Sequence, residues 1–183
     1  MKNAFGVILI LISLVIFGMR ISKGIQFKQN VIGYLKRAAD ANTIELAEKE
    51  LTKVIDFLEA KNLTSGYTSI FYQTPDEDLD YWYRNLKASQ LELQQLESES
   101  ALERTNVLIK LRETLVDVGE KTKVTVPKGL AVYPQNLLWA LLMLAAVTSL
   151  GVGIVLLVME YEKKQKKKAK STPDRSSTTQ TTQ

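Results

Sequence analysis

Two uninterrupted apolar runs, residues 4–19 and 137–159, bracket a charged stretch that is patterned for helices. The second run has 23 residues, and as a helix it would extend about 34 Å, enough for a hydrocarbon core of about 30 Å. The first run has 16 residues and would extend about 24 Å. The domain between them is too small to bury an all-apolar helix on every side. Both runs therefore predict membrane spans.

The first run also has features of a secretory signal. Lys2 supplies a positive residue before it, and residues 22–24 form a small-x-small cleavage sequence. Removal after Gly24 would leave a mature protein with one span. The run is longer than the apolar core of most signals, and Arg20 and Lys23 follow it closely. We therefore predict an uncleaved signal anchor over residues 4–21, with cleavage after Gly24 as the alternative.

The stretch that follows predicts two consecutive helices. Residues 25–39 keep a helical face and are expected to continue the first span outward, with an interruption at residues 40–42. Asn42 and Glu45 have the spacing of a capping box, and the second helix should end near Asn62. Its apolar side chains form one stripe, made by Ala47, Leu51, Val54, Ile55 and Leu58.

A second start signal lies at residues 74–77. Thr74 can cap a helix, and Pro75 suits the first helical position. An apolar stripe runs from Leu79 to Leu96 and another from Leu108 to Val118, on either side of a polar segment. Ser100 and Glu103 offer a further capping box within that segment. The pattern allows one long helix or two, within a helical-bundle or coiled-coil-like domain at residues 22–118.

Residues 119–136 change character before the second apolar run. Alternating residues at 123–126 and 130–133 flank Pro127 and Gly129, which fits a short β-hairpin or an extended linker. The predicted fold class is thus a mainly α membrane protein, with two transmembrane helices flanking a small helical bundle. The remaining segments are a short cytoplasmic N-terminus at 1–3, the second span at 137–159 and a basic, disordered tail at 160–183.

Charge indicates the orientation of the spans. The net charge of +4 comes mainly from the tail, because positive and negative residues nearly cancel in the central domain. Short basic flanks stay in the cytoplasm, whereas long loops cross the membrane largely regardless of charge. Both termini are therefore expected in the cytoplasm and the central domain outside, in a bacterial cytoplasmic membrane. The lysines that set this orientation are Lys163, Lys164, Lys166, Lys167, Lys168 and Lys170.

Composition excludes several kinds of chemistry. The chain has no cysteine and no histidine, which removes thiol nucleophiles, disulfides and the usual zinc ligands and acid–base groups. Asp76, Asp78 and Asp80 alternate as in a calcium loop, but Tyr81 stands where that loop requires glycine. The sequence therefore predicts no enzyme, no metal site and no cofactor, and the neutral domain argues against nucleic acid as a partner.

Two sets of residues are candidates for contact with partners. Three small residues in the second span lie four apart and would let another helix approach closely: Ala145, Ser149 and Gly153. Six aromatic residues concentrate between positions 67 and 83, and they form a hydrophobic core, a platform for a partner or a contact with the membrane interface. They are Tyr67, Phe71, Tyr72, Tyr81, Trp82 and Tyr83, of which Trp82 and Phe71 are the expected core residues.

These patterns favour a non-catalytic scaffold or accessory subunit that contacts another membrane protein or a second copy of itself. The alternatives are a sensor or ligand-binding receptor, with a cleft involving residues 67–83, and a membrane-perturbing protein of the lysis type. The order of span, outer helical domain and span is similar to that of bacterial chemoreceptor sensor regions. The output domain of those receptors has no counterpart in residues 160–183.

Overall fold

The computed structural model describes residues 2–71, 73–98, 100–118, 122–130 and 137–171. It divides into two compact units. The helix pair comprises residues 1–18 and 142–183, and the bundle comprises residues 19–141. The elements are helices α1 (Lys2–Phe27), α2 (Gly33–Ala39), α3 (Ile44–Ala60), α4 (Leu79–Gln94), α5 (Ala101–Leu115) and α6 (Leu137–Ser171), and strands β1 (Val116–Val118) and β2 (Thr122–Val124).

The helix pair presents apolar side chains outward. Leu14 and Val15 of α1 are 58% and 62% exposed, and Leu144 of α6 is 63% exposed. Two helices are long and apolar enough to cross a membrane, Ala4–Ala39 and Leu137–Lys168. The structure thus confirms two candidate spans in a mainly helical chain.

Glycine brings the two helices of the pair together. A Cβ placed on Gly153 would lie 2.8 Å from Ile10 Cγ1 and 2.9 Å from the carbonyl oxygen of Gly6. A Cβ on Gly6 would in turn lie 3.1 Å from the carbonyl oxygen of Gly153. The backbones can approach this closely only because neither residue has a side chain.

The chain stays helical from Lys2 to Ala39, as the periodicity of residues 25–39 predicts. A π-helical turn, Lys28–Ile32, separates α1 from α2. Such a turn adds one residue to the helical repeat and changes which side chains share a face. Val31 within this turn and Leu35 after it are fully buried, and the helix breaks at Asp40.

Helix α3 begins one residue later than the predicted capping box. Thr43, in extended conformation, is the N-cap, and its Oγ1 accepts the Leu46 N–H at 3.2 Å. The proposed pairing of Asn42 with Glu45 is therefore wrong. Ile44 is buried, and starting the helix at this residue directs it into the core.

The C-terminal end of α3 follows the sequence prediction. The N–H of Leu63 donates to the Leu58 carbonyl at 2.8 Å, and the N–H of Asn62 donates to the Glu59 carbonyl at 3.1 Å. Asn62 adopts a positive φ of 53°. This is a Schellman ending, with asparagine in the left-handed position and the fully buried Leu63 packed after it.

The second start signal produces a 3₁₀ turn, Pro75–Glu77, before the α-helix. Thr74 is the N-cap of this turn and Pro75 its first residue, as predicted, whereas the N-cap of α4 is Asp78, whose carboxylate accepts the Tyr81 N–H at 3.0 Å. Contacts with a distant segment explain why α4 begins only after this turn. Asp78 pairs with Tyr67 in an isolated β-bridge, and the Leu79 N–H donates to the Gly66 carbonyl at 2.9 Å.

Two helices, and not one, occupy the region between Leu79 and Leu115. Ser100 is the N-cap of α5 by position, but its side chain makes no capping hydrogen bond, so the second capping box does not form. The helix ends at Leu115, three residues earlier than the stripe to Val118 suggests. From Val116 the chain is extended.

The β-hairpin is present but lies earlier than expected. Strands β1 and β2 are antiparallel, with Val116 opposite Val124 and Val118 opposite Thr122. Pro127–Gly129, the predicted turn, lies after β2 and therefore does not join the two strands. Of residues 130–133, predicted as its second strand, Leu130 belongs to no strand and residues 131–133 lie outside the described part of the chain.

The bundle buries the apolar stripes of its helices in one core. Leu51, Leu58 and Leu86 are at most 1% exposed. Glu50 is also buried, and its Oε1 accepts from both Arg37 and Lys53 at 3.0 Å. Two cationic partners offset part of the cost of removing this carboxylate from water, while its buried Oε2 accepts no hydrogen bond from the described residues. Further core residues are Val31, Leu35, Ala47, Val54, Ile55, Leu63, Leu79, Leu93, Leu111 and Leu115.

Candidate ligand cleft

A cleft of about 950 Å³ opens within the bundle. Its walls come from the end of α1 with the following π-helical turn, the first half of α4, the hairpin with residues 125–130, and the start of α6. The volume is in the range of small-molecule sites in proteins. Four separate parts of the chain thus create one concave surface.

The inner wall of the cleft is apolar and aromatic. Phe27, Trp82 and Trp139 line it and are 5%, 8% and 2% exposed. The indole N–H of Trp82 donates to the Thr125 carbonyl at 2.9 Å, which fixes the segment after β2 against α4. Both tryptophans of the chain therefore line the same cleft.

Five cationic side chains line the same cleft: Arg20, Lys23, Lys28, Lys123 and Lys128. The Arg20 guanidinium lies 5.3 Å from the centre of the Trp139 ring, in cation–π contact. Lys128 Nζ lies 2.7 Å from Asp76, and this hydrogen bond raises the pKa of Lys128. Within the described ranges, Lys23, Lys28 and Lys123 form no ion pair.

The three carboxylates of the cleft do not balance this charge. Asp76 is engaged by Lys128, and Asp78 caps α4. Asp117, on β1, is the third. Asp80, the last of the alternating acids, points to Arg84 at 3.0 Å. The alternating acids thus serve as helix cap and ion-pair partners.

The aromatic cluster of the sequence does not form one surface. Tyr81 and Trp82 line the cleft, and Tyr81 is 60% exposed. Tyr67 pairs with Asp78 through its backbone. Phe71 is 87% exposed, so its expected place in the core is wrong, while Trp82 does belong to the core. Tyr72 lies outside the described residues.

Tyr83 packs away from the cleft and binds α3. Its hydroxyl donates to Glu59 Oε1 at 2.5 Å, and Lys87 Nζ lies 3.3 Å from the same oxygen. Burial and this hydrogen bond raise the pKa of Tyr83 to about 12. The same contact with Tyr83, followed by that with Lys87, lowers the pKa of Glu59. The triad joins α3 to α4 and has a structural role.

The small-residue row on α6 is only partly at a helix contact. Gly153 lies against Gly6 and Ile10. Ser149 is half-buried and Ala145 is exposed, whereas the neighbouring Ala146 is fully buried. The buried positions, Ala146 and Gly153, are seven apart and share one face of α6, and only Gly153 is common to this face and to the predicted row.

The tail lysines lie on the last turns of α6 and are exposed. The helix continues to Ser171, so disorder predicted from residue 160 is wrong for residues 160–171. Two glutamates precede lysines by four residues, Glu160 before Lys164 and Glu162 before Lys166, a spacing that supports helix. Lysines near a helix C-terminus also interact favourably with its dipole.

Sequence reasoning identified two cleft residues, Tyr81 and Trp82, and missed the rest. The cationic residues carried a signal, because several positive charges follow the first apolar run on the side expected to face outward. Trp139 and Phe27 carried none. No family model, curated protein or solved structure matches this chain. Function must therefore be argued from the chain's own residues.

Proposed function

We propose that this chain is a two-span membrane protein whose bundle binds a ligand in the cleft without catalysing a reaction. The observation that carries the proposal is the cleft of about 950 Å³, which combines a buried aromatic wall with an excess of cations. Ligand sites in proteins typically have this form, an apolar concavity with a few polar groups that orient the ligand. The proposal favours the receptor alternative over the scaffold.

Membrane insertion is supported by the outward side chains of the helix pair. Phe5, Val15, Leu144 and Val155 are each more than half exposed. In water, apolar surface costs about 25 cal/mol per Å², and soluble proteins rarely expose contiguous patches this apolar. A bilayer removes that cost, because the lipid tails take the place of a protein core.

Orientation follows from the basic end of α6. Lys163, Lys164, Lys166 and Lys167 immediately follow the apolar part of the helix. Such a cluster favours a cytoplasmic C-terminus. Two spans then bring the N-terminus to the same side and the bundle to the other.

A cleft-filling variant tests the ligand proposal. Gly24 lines the cleft, and nothing lies within 4 Å of a Cβ placed on it. Gly24→Phe should therefore occupy the cleft without a clash, whereas Ser22→Phe places the same ring on an exposed position of the same helix.

The measurement is native mass spectrometry of the full chain purified in a neutral detergent. The wild-type chain and Ser22→Phe should retain an additional mass that Gly24→Phe loses. An identical spectrum for all three chains would contradict ligand binding in the cleft.

A second candidate, the accessory subunit, is favoured by one separate observation. Phe71 and Ile70 are 87% and 37% exposed in the loop before the 3₁₀ turn. An exposed phenylalanine in a binding loop is a common anchor for a partner protein. Phe71→Ser should then release a stoichiometric protein that copurifies with the wild-type chain and with Gly24→Phe.

A further inference from the structure

We propose that the ligand of the cleft is an anionic lipid taken from the surrounding bilayer. Its phosphate or carboxylate head would bind at Lys23, Lys28 and Lys123, and its acyl chain would lie against Phe27 and Trp82. This inference rests on the proposed function, since it requires both membrane insertion and a cleft that accepts a ligand.

The position of the cations provides the first argument. Eight positive residues flank the spans on the side that is expected outside, which opposes the usual distribution of charge. Five of the eight line the cleft. Long loops cross the membrane largely regardless of charge, so these cations do not set the orientation. Their concentration in one cleft is what favours binding of an anion there.

The unpaired lysines provide the second argument. Of the five cleft cations, Lys128 is paired with Asp76 and Arg20 is stacked on Trp139. Lys23, Lys28 and Lys123 have no carboxylate within ion-pair distance among the residues that the structure describes. Lysines near a membrane surface attract anionic headgroups. Lys23 and Lys28 are therefore available for one, and so is Lys123, which lies opposite Asp117 in the strand register but forms no ion pair with it.

The apolar wall excludes a small anion as the whole ligand. A free phosphate would satisfy the lysines and leave the partly exposed side chains of Ile32, Val126 and Leu130 facing an aqueous cavity. An acyl chain removes that apolar surface from water. The π-helical turn helps to combine both surfaces, because its i→i+5 repeat lets Phe27 and Ile32, five residues apart, line the cleft together with Lys28.

The cleft lies next to the ends of both spans, where lipid is within reach. Arg20 directly follows the first apolar run, and Trp139 lies near the start of the second. Aromatic and basic residues at the ends of spans lie at the level of the headgroups. A lipid could therefore reach the cleft laterally, without passing through water.

The test uses the fluorescence of Trp82 in the full chain with Trp139→Phe, which leaves one tryptophan and keeps a ring at position 139. The chain is placed in bilayers of zwitterionic lipid that contain an equal small fraction of either brominated anionic or brominated zwitterionic phospholipid. Bromine on an acyl chain quenches tryptophan on contact. We expect the brominated anionic lipid to quench Trp82 more strongly.

Matched charge variants assign the preference to the cleft. Replacing Lys23, Lys28 and Lys123 with glutamine should abolish the stronger quenching by the anionic lipid. Replacing them with arginine should preserve that difference, which also shows that the positions tolerate substitution. Replacing Lys36, Lys49 and Lys61, which are exposed outside the cleft, with glutamine removes the same charge and should preserve it. Equal quenching by both lipids, or a preference that survives the cleft glutamines, would overturn the proposal.

Soluble glycerol phosphate separates the lipid from a free anion. In bilayers of zwitterionic lipid alone, it should leave Trp82 emission unchanged. If it shifts that emission and the lipid preference is absent, the cleft takes a soluble phosphate, and only the lipid proposal fails. If Trp82 responds to no probe and Gly24→Phe changes no spectrum, the lipid proposal and the proposed function both fail.

Discussion

Leucines have opposite surroundings in the two units of this chain. Leu51 and Leu58 of the bundle are fully buried, whereas Leu14 and Leu144 of the helix pair are 58% and 63% exposed. The bundle follows the rule for proteins in water, with apolar residues on one stripe of each helix. The helix pair is apolar all round and packs through glycine. This difference is the one that the proposed function requires, with water around the bundle and lipid around the pair.

Leucine truncations give the largest contrast between the units. Leu51→Ala should lower the free energy of unfolding by about 2–5 kcal/mol, because it leaves a cavity in a packed core. Leu144→Ala should change it by less than about 0.5 kcal/mol, since lipid fills the vacated space. Both are measured by chemical denaturation of the full chain in a neutral detergent. Equal losses would show that Leu144 packs against protein.

Glycine substitutions test whether α1 and α6 pack closely within the helix pair. Gly153→Leu should destabilise the contact of α1 with α6 by about 1–3 kcal/mol, because its side chain would overlap Ile10 and the Gly6 backbone. Gly151→Leu is the matched control, as nothing lies within 4 Å of a Cβ there. Thermal unfolding in detergent distinguishes them. Similar melting temperatures for the two variants would contradict close packing at Gly153.

The smallest expected effect is on the stability of the bundle at high pH, and it comes from Tyr83. The pKa of Tyr83 is raised to about 12, above its ordinary value of about 10. The folded protein therefore holds this proton more tightly than the unfolded chain. The resulting stabilisation is complete below about pH 10 and is lost as the pH rises through 12.

Ultraviolet absorbance of tyrosinate follows this ionisation in the full chain. Tyr83→Phe should remove a component that titrates near pH 12 and leave the other tyrosines unchanged. Tyr81→Phe, at an exposed neighbouring position, is the control and should leave that component in place. If no tyrosine ionises late in the wild-type chain, the hydrogen bond from Tyr83 to Glu59 is not maintained.

The features that could be predicted from the sequence are those that depend on the spacing of residues within one helix. The stripe from Ala47 to Leu58 forms the buried face of α3, and Asn62 ends that helix as its type allows. The starts of α3 and α4 were displaced because tertiary contacts decided them. Asp78, which caps α4, is itself held in extended conformation by its β-bridge with Tyr67. The spacing of residues along one helix cannot predict a backbone contact with a distant segment.

The cleft was the least predictable feature, for the same reason. Trp82 was predicted as a core residue, but its partner is the Thr125 carbonyl, a backbone group that no side-chain pattern reveals. Lys28 and Lys123 are far apart in the sequence and line one cavity only after the hairpin has folded. The positive residues near the spans bore on orientation in the sequence, and their position in the cleft is shown only by the structure.

The contrast between the two units is tested most directly by single cysteines, because the chain has none of its own. Cysteine at Ala88 reports on the bundle, at Leu144 on the helix pair and at Lys166 on the tail. A membrane-impermeant maleimide applied to intact cells should label only position 88. Permeabilised cells should add position 166, and position 144 should stay unlabelled. Labelling of position 144 in intact cells, or of position 166 before position 88, would contradict two spans with the bundle outside.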